Sequence, residues 1–261
     1  MTDTSTTESM VHIDEGEVGI VTLSRPPVNA MSTGLRAELT DALNSLVAGN
    51  SSVIVIRGSG KGFCAGADVK EFHGRQGDAA RTMSSLSQGT RFWDAVYDVQ
   101  VPVVAAMHGF AVGAGLVMAS LCDFRLASAE CRFSMPEIAV GISVAGGGAQ
   151  LRRLGLREGF LRDLLLNGET IDAATALREG LVDRVLPEED FEEAALAWAK
   201  RLARHGRPAL QAMKAAINLT ESAPDWRAGN ALTRSLSVGF VESYSRRAAS
   251  AGEVHNERKH G

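Results

Sequence analysis

His108-Gly109-Phe110-Ala111-Val112-Gly113-Ala114-Gly115, followed by the apolar run Leu116 to Leu121, is the stretch that decides how the 261-residue chain folds. The apolar run before it, Val101 to Met107, predicts a buried strand, and the run after it predicts a buried helix. Between them stand small residues. A strand-to-helix turn of Gly and Ala lets another molecule approach the backbone closely. The first turn of the helix then aims unpaired N–H groups and a partial positive charge at it. Such a turn suits an oxyanion.

Downstream, Asp123 to Ala127 and Arg132 to Ser134 predict short strands ahead of Pro136-Glu137. Gly146-Gly147-Gly148 leads into helical spacing at Leu151 and Leu154, and Leu161 to Leu166 forms another helix. Asp172 caps a helix that Gly180 ends, and Val182 to Leu186 is a last strand before Pro187. From Glu189 the pattern is helical, with breaks near Gly206-Arg207-Pro208 and Ala223-Pro224-Asp225. Composition shifts at about residue 195. An α/β core over residues 11–195 is therefore expected, followed by a helical appendage over 196–261 that folds back or packs on a neighbouring subunit.

Upstream, Val11 to Ile13 and Val18 to Leu23 flank Asp14-Glu15-Gly16-Glu17 and predict a hairpin. Residues 1–10, Thr/Ser-rich and acidic, read as a disordered start without the basic and apolar regions of a signal peptide. After Arg25-Pro26-Pro27, Ser32 or Thr33 caps a helix carrying Leu35, Leu39, Leu43 and Leu46 at helical spacing. Val53 to Ile56 is a strand covered on both faces. Gly58 to Asp68 is a loop rich in Gly, and Asp68 with Glu71 resembles a capping box that opens a helix. Gly74 to Gly89 reads as a mobile connection or short helix over a cleft, and Thr90 to Val99 as a helix.

Charge and composition narrow the function. A net charge of −4, with no basic block except a short Arg-rich tail, argues against a nucleic-acid or membrane-surface partner. No apolar run approaches the roughly 18 residues of a membrane span. Cys64, Cys122 and Cys131 are an odd number at no metal-ligand spacing and read as reduced core thiols, which predicts a cytoplasmic protein without a metal site. Gly58 to Gly62 is not a Walker loop, because Gly60-Lys61 lacks the hydroxyl residue and the glycine spacing.

Three motifs in order carry a resemblance that covers roughly residues 11–220: Lys61-Gly62-Phe63-Cys64-Ala65-Gly66-Ala67-Asp68, then His108 to Gly115 with Cys122-Asp123, then Phe133-Ser134-Met135-Pro136-Glu137-Ile138 with Gly141 and Gly146 to Gly148. The chain resembles the crotonase superfamily, also called the enoyl-CoA hydratase/isomerase family. The resemblance implies an α/β spiral of ββα units with a C-terminal helical appendage, a homotrimer or dimer of trimers, and a coenzyme A thioester as substrate rather than a separate cofactor. It places the two oxyanion-hole amides on Ala67 and Ala114. Removing a proton beside a thioester carbonyl puts charge on its oxygen, and one fixed N–H donor there is typically worth about 3 to 4 kcal/mol in the transition state.

The resemblance also locates the carboxylates. Hydratases of the family carry two glutamates, one three residues after the second oxyanion residue and one in the Pro-Glu-Ile motif. The first position is Val117 here, and Glu137 keeps the second. Hydration needs one group to activate water and one to protonate the α-carbon. Shifting a double bond from position 3 to position 2 needs a single base that takes a proton from C2 and returns it at C4. One-base isomerisation is therefore the expected reaction, with hydration or another enolate reaction such as decarboxylation as the alternative, and a non-catalytic acyl-CoA-binding protein as a third.

For coenzyme A, the resemblance implies that segments around Arg25, Val28 and Ala30 and around Ala65, Ala67, Asp68, Val69 and Lys70 embrace the nucleotide and pantetheine. Arg25 and Lys70 are the candidate phosphate partners. Phe110, Gly113, Val117 and Ile142 are expected to line the acyl pocket, with His73 and Ser143 at its border. Cys64 has no identifiable base partner and reads as a core thiol, Asp123 as structural, and His108 as backbone support. Residues Arg246 to Arg258 only loosely resemble the family's nucleotide-covering end.

Overall fold

The computed structural model describes residues 9–73, 79–141, 147–221 and 223–234. β1 (Val11–Asp14) and β2 (Val18–Leu23) form the expected antiparallel hairpin, with Val11 opposite Leu23. Along β2, Gly19, Val21 and Leu23 are buried in alternation, as a pleated strand with one covered face requires. Ser32 caps α1 (Thr33–Ala48) by accepting the N–H of Leu35 at 3.1 Å. Leu35, Leu39, Leu43 and Leu46 on that helix are buried, and α1 packs on β1 and β2.

β3 (Val53–Gly58) lies parallel to β2, with Val53 to Ile56 buried on both faces. Then come α2 (Val69–His73), α3 (Ala79–Tyr97), β4 (Val103–Met107), β5 (Phe110–Val112), α4 (Ala114–Leu121), β6 (Phe124–Ser128) and β7 (Arg132–Ser134). A single 3-10 turn, Pro136–Val140, follows. α5 (Gly147–Arg153), α6 (Glu158–Leu166), β8 (Ile171–Asp172), α7 (Ala173–Arg178), β9 (Arg184–Leu186) and α8 (Phe191–Ala203) complete the larger unit. Its main sheet runs β1-β2-β3-β4-β6-β9, parallel except for the first pair. The smaller sheet runs β5-β7-β8. This is the expected α/β architecture.

The chain divides into two compact units at Arg204/His205, later than the compositional shift near residue 195. The reason is α8, which packs on β2, β3, β4 and β9 and so belongs with the sheet. In the second unit, the described residues are largely helical: α9 (Arg207–Glu221) and a further helical stretch over 226–234.

Three expectations need correction. The link from β4 to α4 is not a bare turn, because β5 intervenes and pairs with β7 and, through a single bridge, with Cys64. A three-residue strand whose partners lie far along the chain leaves no local period to read. The polar stretch from Gly74 to Gly89 is helical from Ala79 onward, in one helix with the Thr90 segment. Ser, Thr and Gly are weak helix formers, yet α3 packs on α1 and α4, and Phe92 and Val96 anchor it in the core. Finally, residues 1–8 lie outside the described residues, but Ser9 and Met10 are tied down. The N–H of Met10 donates to Glu38 Oε2 at 2.8 Å, and its carbonyl accepts from Ser24 at 2.8 Å.

Candidate active site

Two backbone turns meet at the N-terminus of α4. The turn through Cys64 lies along β5: the N–H of Val112 donates to Cys64 O at 3.0 Å, and that of Cys64 to Phe110 O at 3.3 Å. Gly113, just before α4, has φ 50 and ψ −121, a conformation suited to a residue without a Cβ. Gly66 faces it at φ 92, where a Cβ would stand 2.9 Å from Val112 O and 3.4 Å from Ala114 N. A Cβ on Gly115 would stand 2.7 Å from Cys64 Cβ. Missing side chains let the turns close.

The direction of the Ala67 amide follows from its neighbours. Met31 donates to Gly66 O at 2.7 Å and accepts from Asp68 N at 3.2 Å, so its bonds straddle Ala67 in a parallel bridge. In such a bridge the straddled residue turns its own N–H and C=O away from that partner. Ala67 is exposed. Ala114 is the first residue of α4, where helix N–H groups lack acceptors within the helix and the helix dipole is positive.

Glu137 reaches the same place from the 3-10 turn that opens at Pro136. Its Oε1 lies 2.5 Å from where a Cβ of Gly113 would be, and Gly113 is itself tied to β7 through Ser134 O at 3.0 Å. Oε2 is buried without a hydrogen-bond partner among the described residues. Burial pushes this carboxyl above the usual glutamate range, partly offset by a bond from its own backbone N–H. Val117, three residues after Ala114, is 3% exposed and packs in the core. Phe110 is half-buried, its ring held against Gly62, where a Cβ would come within 2.8 Å. Ile142 and Ser143 lie outside the described residues, as do the side chain of His73 and the tail from 246.

The segments expected to embrace coenzyme A are laced together. Ala65 N donates to Val28 O at 3.0 Å. Arg25 Nη2 pairs with Asp68 Oδ2 at 2.5 Å, and Nη1 donates to Ala30 O at 2.8 Å. Asp68 caps α2 by accepting from Lys70 N at 2.9 Å and Glu71 N at 3.3 Å. The reciprocal half of the predicted capping box does not form, because Glu71 accepts from Thr33 N and Oγ1 while Asp68 N is taken by Met31 O. Burial alone would raise the Asp68 carboxyl, but Arg25 and the α2 amides outweigh it and hold it below the usual range. Val69 and Lys70 are exposed, and Val28 and Ala30 are half-buried.

Asn29 was not singled out by the sequence. It is 2% exposed with φ 53; its Nδ2 donates to Ser59 O and Gly62 O, each at 2.9 Å, and its Oδ1 accepts from Arg25 N at 2.9 Å. The available signal was an Asn directly after Arg-Pro-Pro-Val, since Asn is among the few side chains that accept left-handed backbone.

Cys64, His108 and Asp123 are the residues expected to support the backbone and core. Burial pushes the Cys64 thiol up to about 12. His108 Nε2 lies 3.0 Å from Gly60 O, and Asp123 Oδ2 accepts from Val103 N at 2.7 Å. Among the described residues no cluster of three or more His, Cys, Asp or Glu could hold a metal ion, and no helix is long and apolar enough to cross a membrane.

The family described as Enoyl-CoA hydratase/isomerase matches residues 14–252. A probable enoyl-CoA hydratase of Rhizobium meliloti (strain 1021) is 37% identical over 213 residues, 81% of each chain. The 2,3-dehydroadipyl-CoA hydratase of Escherichia coli (strain K12) is 35% identical over 204 residues, covering 77% of this chain and 78% of its own. The crystal structure of a putative enoyl-CoA hydratase from Streptomyces coelicolor A3(2) superposes with a TM-score of 0.84 at 31% identity, covering 97% of both chains.

Proposed function

This chain belongs to the enoyl-CoA hydratase/isomerase family and is an acyl-CoA enzyme of crotonase fold, and we propose that it works through one oxyanion hole and one base. In this reading the N–H groups of Ala67 and Ala114 hold the thioester oxygen, and Glu137 moves the proton. The observation that carries it is the pairing of a half-buried carboxylate on Gly113 with an apolar Val117 one helical turn past the amides.

The reaction best suited to that arrangement is a double-bond shift from 3-enoyl-CoA to 2-enoyl-CoA. Ionised Glu137 takes a proton from C2, and the electron pair moves onto the thioester oxygen to give a dienolate. The same carboxyl then returns the proton at C4 as the pair flows back, leaving the double bond between C2 and C3. Atoms balance without water or a further cofactor. Fixed donors at the oxygen and a base beside the C–H do the work.

A second reading is hydration of 2-enoyl-CoA, favoured by the names of the relatives, which are hydratases. Here Glu137 alone would orient and deprotonate water. Incubating the protein separately with 3-enoyl- and 2-enoyl-CoA and identifying products by mass and chromatography separates the two. Isomerisation outrunning water addition supports the first reading; water addition at a rival rate replaces it with the second. The reading carries with it a cytoplasmic location and a homotrimer or dimer of trimers, the latter checked by light scattering.

A further inference from the structure

We infer that Arg25, Asp68 and Asn29 form a clasp that positions the Ala67 amide, and that Arg25 serves this clasp rather than a phosphate of coenzyme A. The inference rests on the proposed role of Ala67. Ala67 is exposed and carries only a methyl group, so its own side chain cannot fix the direction of its N–H. That direction is set from either side, by Met31 bonding Gly66 and Asp68.

Of these, Asp68 is itself part of the clasp, and Met31 follows the residue whose carbonyl Arg25 holds. Asp68, 8% exposed, spends one oxygen on Arg25 and the other on the first amides of α2. Arg25 in turn holds Ala30 O, one residue before Met31, and its own N–H binds Asn29. Asn29 fastens the far end of the loop at Ser59 and Gly62. Segments 25–31 and 59–71 are thereby locked in register around Ala67. Both terminal nitrogens of Arg25 are engaged within the protein, and its charge is matched at 2.5 Å by a carboxylate. A phosphate approaching it would meet that carboxylate too. These are positioning residues, acting on the thioester oxygen through Ala67.

The test compares Asp68→Asn, Arg25→Gln, Arg25→Lys and the Asp68→Asn/Arg25→Gln double variant on an enoyl-CoA and on its N-acetylcysteamine thioester, which lacks the nucleotide. Both single variants are expected to lose kcat/KM by the same factor on both substrates, roughly ten- to hundredfold, with the loss in kcat wherever saturation is reached. The double variant should be no worse than the worse single, and Arg25→Lys should recover part of the loss. If Arg25→Gln instead raises KM for the CoA thioester alone while Asp68→Asn changes nothing, Arg25 is a phosphate ligand and the inference is overturned. Hydrogen exchange of the peptides spanning 59–73 is read in parallel and does not depend on turnover. Faster exchange in both single variants is expected. Unchanged exchange overturns the clasp, whereas a wild type that converts neither enoyl thioester sinks the proposed function and leaves the exchange result to judge the clasp.

Discussion

Glu137 Oε1 occupies the space in which a side chain on Gly113 would begin, 2.5 Å from the position of an ideal Cβ. Residue 113 also precedes Ala114, so the carboxylate and the first amide of α4 are separated by one residue that has to be glycine. The proposed base and one proposed oxyanion donor thus meet at the same glycine.

Gly113→Ala should therefore damage the site twice. The backbone at φ 50 and ψ −121 strains any Cβ, by roughly 1–3 kcal/mol, and the methyl would displace the carboxylate. Activity is expected to fall about a hundredfold with a lower melting temperature. Turnover kinetics and thermal unfolding of the purified variant check this, and wild-type kcat would show that Glu137 is not where the reaction occurs.

Glu137→Gln should trade activity for stability. Burial raises the folded-state pKa above the unfolded one, so between the two values the folded state binds more protons and stability falls as pH rises. The wild type carries that cost at any pH above the unfolded value, in full only above the folded-state one, and glutamine does not. The variant should melt higher at pH 7, with the gap closing in acid below the unfolded glutamate pKa, while kcat drops roughly 10²- to 10⁴-fold. The acid limb of the wild-type kcat profile should lie above the usual glutamate range. A variant of wild-type activity would remove Glu137 from the mechanism.

Cys64 borders both turns, yet it should be inert. With the thiol pushed up to about 12 and no exposed surface, almost no thiolate exists near neutral pH. Iodoacetamide at pH 8 is expected to leave Cys64, Cys122 and Cys131 unmodified in the native protein, all three being buried, and to label all three after denaturation. Fast native labelling of Cys64 with loss of activity would point to a thiol role.

Much of this architecture was legible because the signals are local. Ser32 and Asp172 cap the helices they precede, and the leucines of α1 repeat on one face. The Gly-Ala turns mark where backbones approach. What stayed hidden depends on partners distant in sequence. β5 exists because Arg132 to Ser134 and Cys64 pair with it, and the Arg25–Asp68 bond joins residues 43 positions apart. Nor does any local pattern signal that the Asp68 carboxylate, in a segment expected to embrace coenzyme A, also pairs with Arg25 while it caps α2.

Val117→Glu addresses the choice of reaction directly. A carboxylate at residue 117 would rise one helical turn beyond Ala114, on the same side of α4, and could hold a water opposite Glu137. Because Val117 is 3% exposed within the core, the new group is expected to lower the melting temperature and to ionise reluctantly. Yet a second acid supplies what one-base chemistry lacks. The ratio of hydrated to isomerised product should rise about tenfold or more, most strongly above neutral pH where the added glutamate is charged. Product analysis on 2-enoyl- and 3-enoyl-CoA measures it. A folded variant with an unchanged ratio would mean that residue 117 does not face the reacting carbons, and that the apolar side chain there has no part in suppressing water addition.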